Sequence, residues 1–152
     1  MKTISVVIID DEPGSVITLL ELLKQYCPQV VIKGTAADPL RGYDLIKLSE
    51  PDLVFLDIEM PYGNSFDLLD KLLPVSFEVV FITAFNEYAI RAIKYAALDY
   101  LLKPVNVDEL VEAVRKAGKR LEEKNINSRI SNLLESMKSE NAGIQKIALP
   151  TL

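Results

Sequence analysis

Apolar residues in this chain come in short continuous runs separated by stretches with helical spacing. The runs predict buried strands over residues 4–10, 29–35, 52–57, 77–83 and 98–102. Apolar positions three and four residues apart predict helices over 13–26, 39–49, 65–73 and 87–96, and a further helix that starts near Val107. Strands that are apolar throughout and alternate with helices are typical of a parallel sheet covered on both faces. The pattern therefore predicts an α/β fold with a doubly wound, five-stranded parallel sheet.

Two of these helices allow more specific predictions. The helix over 39–49 should have one buried apolar face, made by Leu40, Leu45, Ile46 and Leu48. In the helix over 87–96, Asn86 is placed to cap the N-terminus, and Phe85 and Ile90 are placed to form a hydrophobic staple. That helix is rich in alanine, so it should bury little surface per turn and shift easily.

The last helical pattern continues beyond the expected domain. One set of apolar positions with steps of 4, 3 and 4 should dock on the sheet of its own domain: Leu110, Val114, Ala117 and Leu121. After a phase break at residues 124–127, a second set repeats those steps and should pack on a partner helix or a neighbouring domain: Ile126, Ile130, Leu133 and Met137. Residues 139–143 are typical of a flexible link, and residues 146–149 of the start of a strand.

Composition narrows the class of protein. The length of 152 residues, 49% of them hydrophobic, predicts one domain with a real core and some chain left over. No apolar run approaches the length of a membrane span and no secretory pattern is present, so we expect a cytoplasmic protein without membrane association. A single cysteine, Cys27, excludes a disulfide within the chain, and the absence of histidine excludes histidine-based catalysis. The net charge of −5 disfavours DNA binding by these residues.

Charged or hydroxyl side chains stand at the carboxyl ends of four predicted strands. They are Asp10 and Asp11, Asp57, Thr83 and Lys103. Open α/β sheets bind their ligands at this edge, so the five side chains are expected to share one site. Carboxylates suit Mg²⁺, an aspartate can act as a nucleophile toward phosphorus, and a lysine and a hydroxyl can hold phosphoryl oxygens. The sequence therefore predicts a magnesium and phosphoryl site.

Each of these residues also has a simpler interpretation. Asp10 and Asp11 could only cap the following helix, and Asp57 could be only a turn residue. Lys103-Pro104 could form only a turn, and Tyr100, inside an apolar strand, could be only a half-buried packing residue. Taken together, the simpler interpretations are weaker, because suitable polar residues would have to stand by chance at the ends of four strands that share one edge.

Four stretches of the chain resemble a two-component response regulator receiver domain, in the order and spacing of that family over about residues 1–122. The stretches are Ile8-Ile9-Asp10-Asp11-Glu12-Pro13, Leu56-Asp57-Ile58-Glu59-Met60-Pro61, Phe81-Ile82-Thr83-Ala84 and Leu98-Asp99-Tyr100-Leu101-Leu102-Lys103-Pro104. The run from Ala89 to Ile93 and the last of these stretches resemble the LytTR (LytR/AlgR-type) subfamily. Residues 146–151 are similar to the first strand of a LytTR DNA-binding domain.

The resemblance implies a role for each site residue. Asp57 would accept phosphate from a histidine of a sensor kinase. Mg²⁺ would be bound by Asp11, Asp57 and the backbone carbonyl of Glu59, with Asp10 assisting through water. Thr83 and Lys103 would hold the phosphoryl oxygens, Tyr100 would be the switch aromatic, and Lys103-Pro104 would be a cis peptide. The chain departs from the family at Ser65, where glycine is usual.

The resemblance also implies an architecture and a mode of action. The sheet would be flavodoxin-like with strand order 2-1-3-4-5 and an extended C-terminal helix. Residues 1–122 would form the receiver, 123–145 a helical linker, and 146–152 the start of a DNA-binding domain that lies outside this chain. The protein would be no conventional enzyme but a phosphoacceptor that promotes its own phosphotransfer and dephosphorylation. It would form a phosphorylation-dependent homodimer and bind DNA only through that further domain.

Three other classes compete with this interpretation. A flavodoxin-like cofactor binder would need a phosphate-cradling loop after the first strand, where Asp10-Asp11-Glu12 would repel phosphate. A phosphatase of the haloacid dehalogenase type would carry its nucleophile after the first strand rather than the third. The remaining alternative is a receiver-like dimerisation module without phosphotransfer, and the intact set of acids, Thr83 and Lys103 argues against it.

Overall fold

A computed structural model describes residues 2–61 and 63–148 of the protein, the stretch 140–148 by its backbone. Its elements in chain order are β1 (Ile4–Ile9), α1 (Pro13–Tyr26), β2 (Val30–Ala36), α2 (Pro39–Ser49), β3 (Leu53–Leu56), β4 (Glu59–Met60), β5 (Gly63–Asn64), α3 (Ser65–Lys71), β6 (Glu78–Thr83), α4 (Ala89–Lys94), β7 (Asp99–Leu102) and α5 (Val107–Ala148). The strands and helices alternate as the apolar pattern predicts.

Five of the strands form one sheet in the order β2-β1-β3-β6-β7, and all of its neighbouring pairs are parallel. The two-residue strands β4 and β5 pair with each other, apart from this sheet. β6 and β7 are thus the fourth and fifth strands of the main sheet, so the predicted order 2-1-3-4-5 is confirmed. Ile9 lies beside Leu56, and Leu56 lies beside Phe81. The residues that follow β1 and β3 therefore emerge next to each other.

The central strands of the sheet, β1, β3 and β6, are buried on both faces. One face packs Val7, Ile9, Val54, Leu56 and Phe81 into a cluster with side chains of the helices, among them Ile46, Phe66, Leu69 and Ala92. The alternate positions on the other face are buried as well, including Val6, Ile8, Phe55 and Val80, and so are Leu19, Leu23, Leu110 and Val114 of α1 and α5. Burial of both faces explains why the strands are apolar throughout rather than alternating.

The prediction for the buried face of α2 is wrong at two positions. Leu40 and Leu48 are 73% and 85% exposed, whereas Gly42 and Ile46 are buried. The reason is a close approach at Gly42, where a Cβ atom would stand 2.8 Å from Cδ1 of Ile9. Because a Cβ atom at position 42 would press against the Ile9 side chain, glycine lets the helix lie this near the strand with Gly42 and Ile46 inward, which leaves both leucines outside.

The prediction for α4 is also wrong in detail. The helix begins at Ala89 rather than 87, its N-cap is Tyr88 without a side-chain hydrogen bond, and Ile90 is 77% exposed. Asn86 therefore does not supply the cap, and Phe85 and Ile90 form no staple. At the other end, Ala96 has a φ of 54°, a left-handed conformation that the helix cannot include. The outcome is a helix of six residues that turns Ala92 inward.

Helix α5 runs without interruption over 42 residues. Asn106 caps it, since its side-chain oxygen accepts the Glu109 amide over 3.1 Å. The predicted flexible link at 139–143 is therefore wrong, and so is the strand start at 146 as far as residue 148. A strand needs a partner to satisfy its backbone, whereas a helix satisfies its own, and no strand pairs with 146–148 among the described residues. Residues 149–152 lie outside the described residues.

The chain divides into two compact units, of which the first ends at Gly118 and the second begins at Lys119. This boundary lies four residues before the predicted end of the receiver at 122. Residues 123–145 are helical as expected, and their role as a linker stays a prediction. Within the described residues, no helix is long and apolar enough to cross a bilayer.

Candidate functional site

Three carboxylates meet at the carboxyl edge of the sheet. Asp10 and Asp11 follow β1 directly, and Asp57 follows β3, its neighbour in the sheet. One carboxylate oxygen from each of the three lies within 4.8 Å of the other two. Asp10 and Asp57 are only 7% and 4% exposed, so the site holds acids that the fold has largely removed from water. The topology thus brings the predicted acids together.

Lys103 supplies the positive charge of this cluster. Its Nζ atom lies 2.9 Å from Oδ2 of Asp10, 3.0 Å from Oδ2 of Asp57 and 3.1 Å from Oε1 of Glu12. The first two partners were predicted to share the site. Glu12 was not assigned a role, although it stands directly after the two aspartates in the sequence. One ammonium group therefore faces three carboxylates, and the cluster stays negative overall.

The main chain around Asp57 is held from several sides. Its amide donates to the carbonyl of Ile9 over 2.9 Å, and its Oδ1 accepts the amide of Ile58 over 2.8 Å. The hydroxyl of Ser65 donates to the carbonyl of Asp57, and Ser65 is fully buried at the start of α3. Ser65, the departure from the family pattern, therefore adds a hydrogen bond that glycine could not make.

Burial changes the pKa values of both central groups. Removal from water raises the pKa of Asp57, an effect that the nearby charge of Asp10 strengthens and that Lys103 and Thr83 oppose. Burial alone would lower the pKa of Lys103, but its hydrogen bonds to Asp10 and Asp57 and their charges outweigh burial and raise it. Lys103 thus stays protonated throughout the physiological range, while the fold disfavours the charged form of Asp57.

The donor set fits a hard divalent cation. Mg²⁺ takes oxygen ligands, keeps several waters and needs only one or two direct carboxylates, and three aspartates converge here. Asp10 has a second task, because its Oδ1 accepts the amide of Glu12 over 2.9 Å at the start of α1. This bond shapes the turn before α1 but does not cap the helix, because the N-cap residue is Glu12 and no side chain caps the first turn. The ligand role of the Glu59 carbonyl stays a prediction.

Thr83 and Tyr100 lie where a phosphoryl group at Asp57 could affect them. Thr83 is fully buried at the end of β6, and its hydroxyl accepts the amide of Phe85 over 3.4 Å. Its carbonyl accepts the amide of Lys103 over 2.8 Å, and the Lys103–Pro104 peptide is cis, as the resemblance implies. Tyr100 is half-buried, and its hydroxyl donates to the carbonyl of Phe85. Both side chains thus bond to the segment between β6 and α4.

Two tyrosines fasten this segment and α4 to the other side of the site. The hydroxyl of Tyr88 donates to the carboxylate of Glu59, two residues beyond Asp57. The hydroxyl of Tyr95 donates to Oδ1 of Asp70 over 2.7 Å. Sequence reasoning missed both pairs, because they join residues 29 and 25 positions apart with no shared local pattern. They link α4 to the chain that follows the candidate phosphoacceptor.

Comparison with protein families assigns the chain. Residues 6–115 match the family model described as "Response regulator receiver domain". The matched range contains the three aspartates, Thr83, Tyr100 and Lys103. The chain belongs to this family, the receiver of two-component response regulators, and the prediction from the four sequence stretches is confirmed. Receivers of response regulators are in general not conventional enzymes.

Curated relatives support the LytTR subfamily. A response regulatory protein of Vibrio cholerae is 40% identical over 114 residues, which cover 74% of this chain and 48% of that protein. The sensory transduction protein LytT of Enterococcus faecalis is 36% identical over 76% of this chain and 48% of its own length. The transcriptional regulatory protein BtsR of Escherichia coli is 35% identical over 74% and 47%. The chain thus spans about half the length of the curated relatives it matches.

Solved structures agree on the fold. The response regulatory domain of protein mrkE from Klebsiella pneumoniae has a TM-score of 0.72 at 28% identity, over 78% of this chain and 98% of that domain. The response regulator domain of CheB from Thermotoga maritima has a TM-score of 0.66 at 26% identity, over 76% and 96%. The flavodoxin-like prediction is confirmed by the strand order and by these neighbours.

Proposed function

We propose that Asp57 is the phosphoacceptor of this receiver and that it takes its phosphoryl group from a phosphohistidine of a sensor kinase. The observation that carries the proposal is the position of its carboxylate, which is buried, fixed by the Ile58 amide and 3.0 Å from the Lys103 ammonium. In the transfer, the histidine nitrogen–phosphorus bond breaks while a bond forms from phosphorus to a carboxylate oxygen of Asp57.

The neighbouring side chains have distinct tasks in this proposal. Lys103, protonated throughout the physiological range, donates to the oxygens of the incoming phosphoryl group and offsets their charge. Thr83 offers a hydroxyl donor from the end of the adjacent strand. Asp11, Asp57 and the carbonyl of Glu59 would hold Mg²⁺ directly, with Asp10 acting through water. The bound ion would neutralise negative charge on the phosphoryl group as it transfers.

Phosphorylation would then change which arrangement of the β6–α4 segment is favoured. A phosphoryl group adds about −1.5 to −2 charges and three strong acceptors. Thr83 and Lys103 are the donors that lie nearest to serve those acceptors. Movement of Thr83 would act on Phe85, whose amide donates to its hydroxyl, and on Tyr100, which donates to the Phe85 carbonyl. Tyr100 is thus proposed as the switch aromatic.

Intact-mass analysis tests the phosphoacceptor. With a small-molecule phosphodonor such as acetyl phosphate and Mg²⁺, the wild type should gain the mass of one phosphoryl group, and Asp57→Asn should gain none. Asp44→Asn, which alters an exposed carboxylate on α2, is the matched control and should behave like the wild type. Equal incorporation in the Asp57→Asn protein would refute the assignment. Failure of all three proteins to incorporate phosphate would favour the alternative, a receiver-like module without phosphotransfer.

We further propose that phosphorylation promotes a homodimer and thereby controls transcription through a DNA-binding domain outside these 152 residues. The names of the relatives LytT and BtsR, a sensory transduction protein and a transcriptional regulatory protein, support this output. A cytoplasmic location is part of the same proposal. Light scattering with and without beryllofluoride, a phosphoryl mimic, tests the dimer. An unchanged mass in its presence would count against phosphorylation-driven assembly.

A further inference from the structure

The second half of α5 carries an apolar stripe that the receiver function does not use. Its members are separated by steps of three, four and one residues, and each is about half exposed or more: Ile126 46%, Ile130 51%, Leu133 61%, Leu134 52% and Met137 49%. At 100° per residue they fall within about 100° of the helix circumference. All other residues from 127 to 139 are polar. We call these five residues the α5 seam.

The rest of this segment is poorly suited to a helix by itself. Seven of the 15 residues from 125 to 139 are serine or asparagine, which have low helix propensity because their side chains compete for the backbone. A helix of such composition draws most of its stability from packing of an apolar face rather than from propensity. The α5 seam is that face, so a partner that covers it would add stability to this part of the helix.

The residues of the seam favour a second copy of this chain as that partner. In a heptad frame, Ile130 and Met137 take position a, and Ile126 and Leu133 take position d. In the central heptad, Ile130 at a with Leu133 at d is the combination that favours two parallel strands. Glu123 stands at the a position before the seam, so the apolar core begins sharply at Ile126. A partner must therefore present a seam that begins at the same point, as an identical chain in register does.

The flanking positions accept this pairing without repulsion. In a parallel pair, position g of one helix faces position e of the next heptad on the other. Glu122 would face Asn127, and Arg129 would face Leu134, so neither pair brings like charges together. The aliphatic stem of Arg129 can cover Leu134 while its guanidinium stays in water. Leu134, the seam residue outside the a and d positions, is thereby covered as well.

We infer that the α5 seams of two chains pair as a short parallel coiled coil. The inference deepens the proposed homodimer by naming a surface for it, and it rests on the proposed function only for its regulation. Because the seam covers fewer than two heptads, the pairing is weak and depends on protein concentration. Because the seam is exposed in the single chain, the pairing can be measured without phosphorylation.

Sedimentation over a range of concentrations tests the surface with matched variants of the 152-residue chain. Ile130→Asp should weaken self-association about tenfold or more, because it places a charge in the apolar core of the pair. Ser131→Asp adds the same charge on the polar face of the same turn and should change it less than twofold. Phosphorylation of both variants at Asp57, followed by intact mass, verifies that the receiver is folded. A monomeric wild type at all concentrations, or equal effects of the two variants, would overturn the inference.

Cysteine cross-linking tests the direction of the pair. In a background where the buried Cys27 is replaced by alanine, Met137→Cys should cross-link to itself under oxidation, because identical a positions face each other in a parallel pair. Ser131→Cys, on the polar face, should not. An antiparallel pair would instead place residue 137 beside residue 126. Cross-linking that requires a mixture of Met137→Cys and Ile126→Cys chains would therefore refute the parallel arrangement.

Discussion

The acidic site and the α5 seam both place side chains in an unfavourable environment, but of opposite kinds. The site buries charge, with three aspartates converging and Lys103 as their cation. The seam exposes apolar surface, with five large side chains about half exposed or more. Burying unbalanced charge and exposing apolar surface both cost free energy. Under the proposals above, this cost is offset by what binds there: a cation and a phosphoryl group at the site, and an apolar partner at the seam.

The largest effect on stability is expected from removal of Lys103, the lysine that pairs with Asp10 and Asp57. Lys103→Ala should lower the free energy of unfolding by about 3 kcal/mol at neutral pH without Mg²⁺, because it leaves buried carboxylates without their cation. Lys116→Ala is the matched control, since Lys116 pairs with Asp99 over 3.1 Å and is 40% exposed. The Lys116→Ala substitution should lower the free energy of unfolding by less than about 1 kcal/mol. Urea unfolding measures both, and equal losses would mean that burial of the site has little energetic weight.

Mg²⁺ should offset the same imbalance. At a concentration about 100 times its dissociation constant, a ligand that binds only the folded state stabilises it by about 2.7 kcal/mol. Thermal unfolding of the wild type should therefore shift upward with Mg²⁺, and Asp11→Asn should lose most of the shift. Glu59→Gln should keep it, because the carbonyl rather than the carboxylate of Glu59 is the proposed ligand. A shift that survives in Asp11→Asn would remove that residue from the metal site.

A third prediction uses the raised pKa of Asp57. Burial raises this pKa above its unfolded value, so the folded state binds the proton more tightly and Asp57 destabilises the fold once both states are ionised. Without Mg²⁺, the Asp57→Asn protein should thus be more stable than the wild type at pH 7, by about 1.4 kcal/mol for each unit by which the pKa is raised. The advantage should shrink as the pH falls through the folded pKa and disappear below the unfolded value, near about 4. Denaturation across this range measures it, and a constant difference would exclude the titration of Asp57 as its cause.

The smallest expected effect concerns the seam. At concentrations where the chain is monomeric, Ile130→Ser should change the stability of the receiver unit by no more than about 0.5 kcal/mol, because it removes an exposed side chain. Leu110 belongs to the other apolar set of α5, which has the same spacing, and is fully buried. Leu110→Ala should therefore lower the free energy of unfolding by about 2–5 kcal/mol. Chemical denaturation at low concentration compares the two. A large loss from Ile130→Ser would mean that the seam contributes to the stability of the single chain.

The sequence predicted the parts of the fold that local pattern determines. Apolar runs located all five strands of the sheet, and the acids at their ends predicted the cluster of carboxylates, because parallel strands bring their carboxyl ends to one edge. The prediction of the buried face of α2 was wrong, because the approach of Gly42 to Ile9 is a contact between distant segments. The spacing of apolar residues along one helix does not reveal such a contact. The same applies to Tyr88 with Glu59, to Glu12 with Lys103 and to Ser65 with the carbonyl of Asp57.

The sequence also predicted the spacing of both apolar sets on α5 but not the length of the helix. Leu110, Val114 and Ala117 are buried, as expected for a helix on its own sheet. The helix continues through the phase break at 124–127. A change of phase moves the apolar face around the helix without affecting backbone hydrogen bonds, which do not depend on which side chains are apolar. The apolar pattern therefore predicts which face of the helix packs, whereas the length of the helix depends on its backbone hydrogen bonds.

The hydrogen bond from Ser65 gives the site an asymmetry in how freely its parts can move. The amide, the carbonyl and one side-chain oxygen of Asp57 are all bonded to neighbouring segments, so the reacting residue is anchored in all three. Thr83, on the other side, accepts the Phe85 amide over 3.4 Å, and the hydroxyl groups of Tyr88 and Tyr100 hold the segment that follows it. We therefore expect a change of charge at Asp57 to shift the Thr83 side of the site before the Asp57 side.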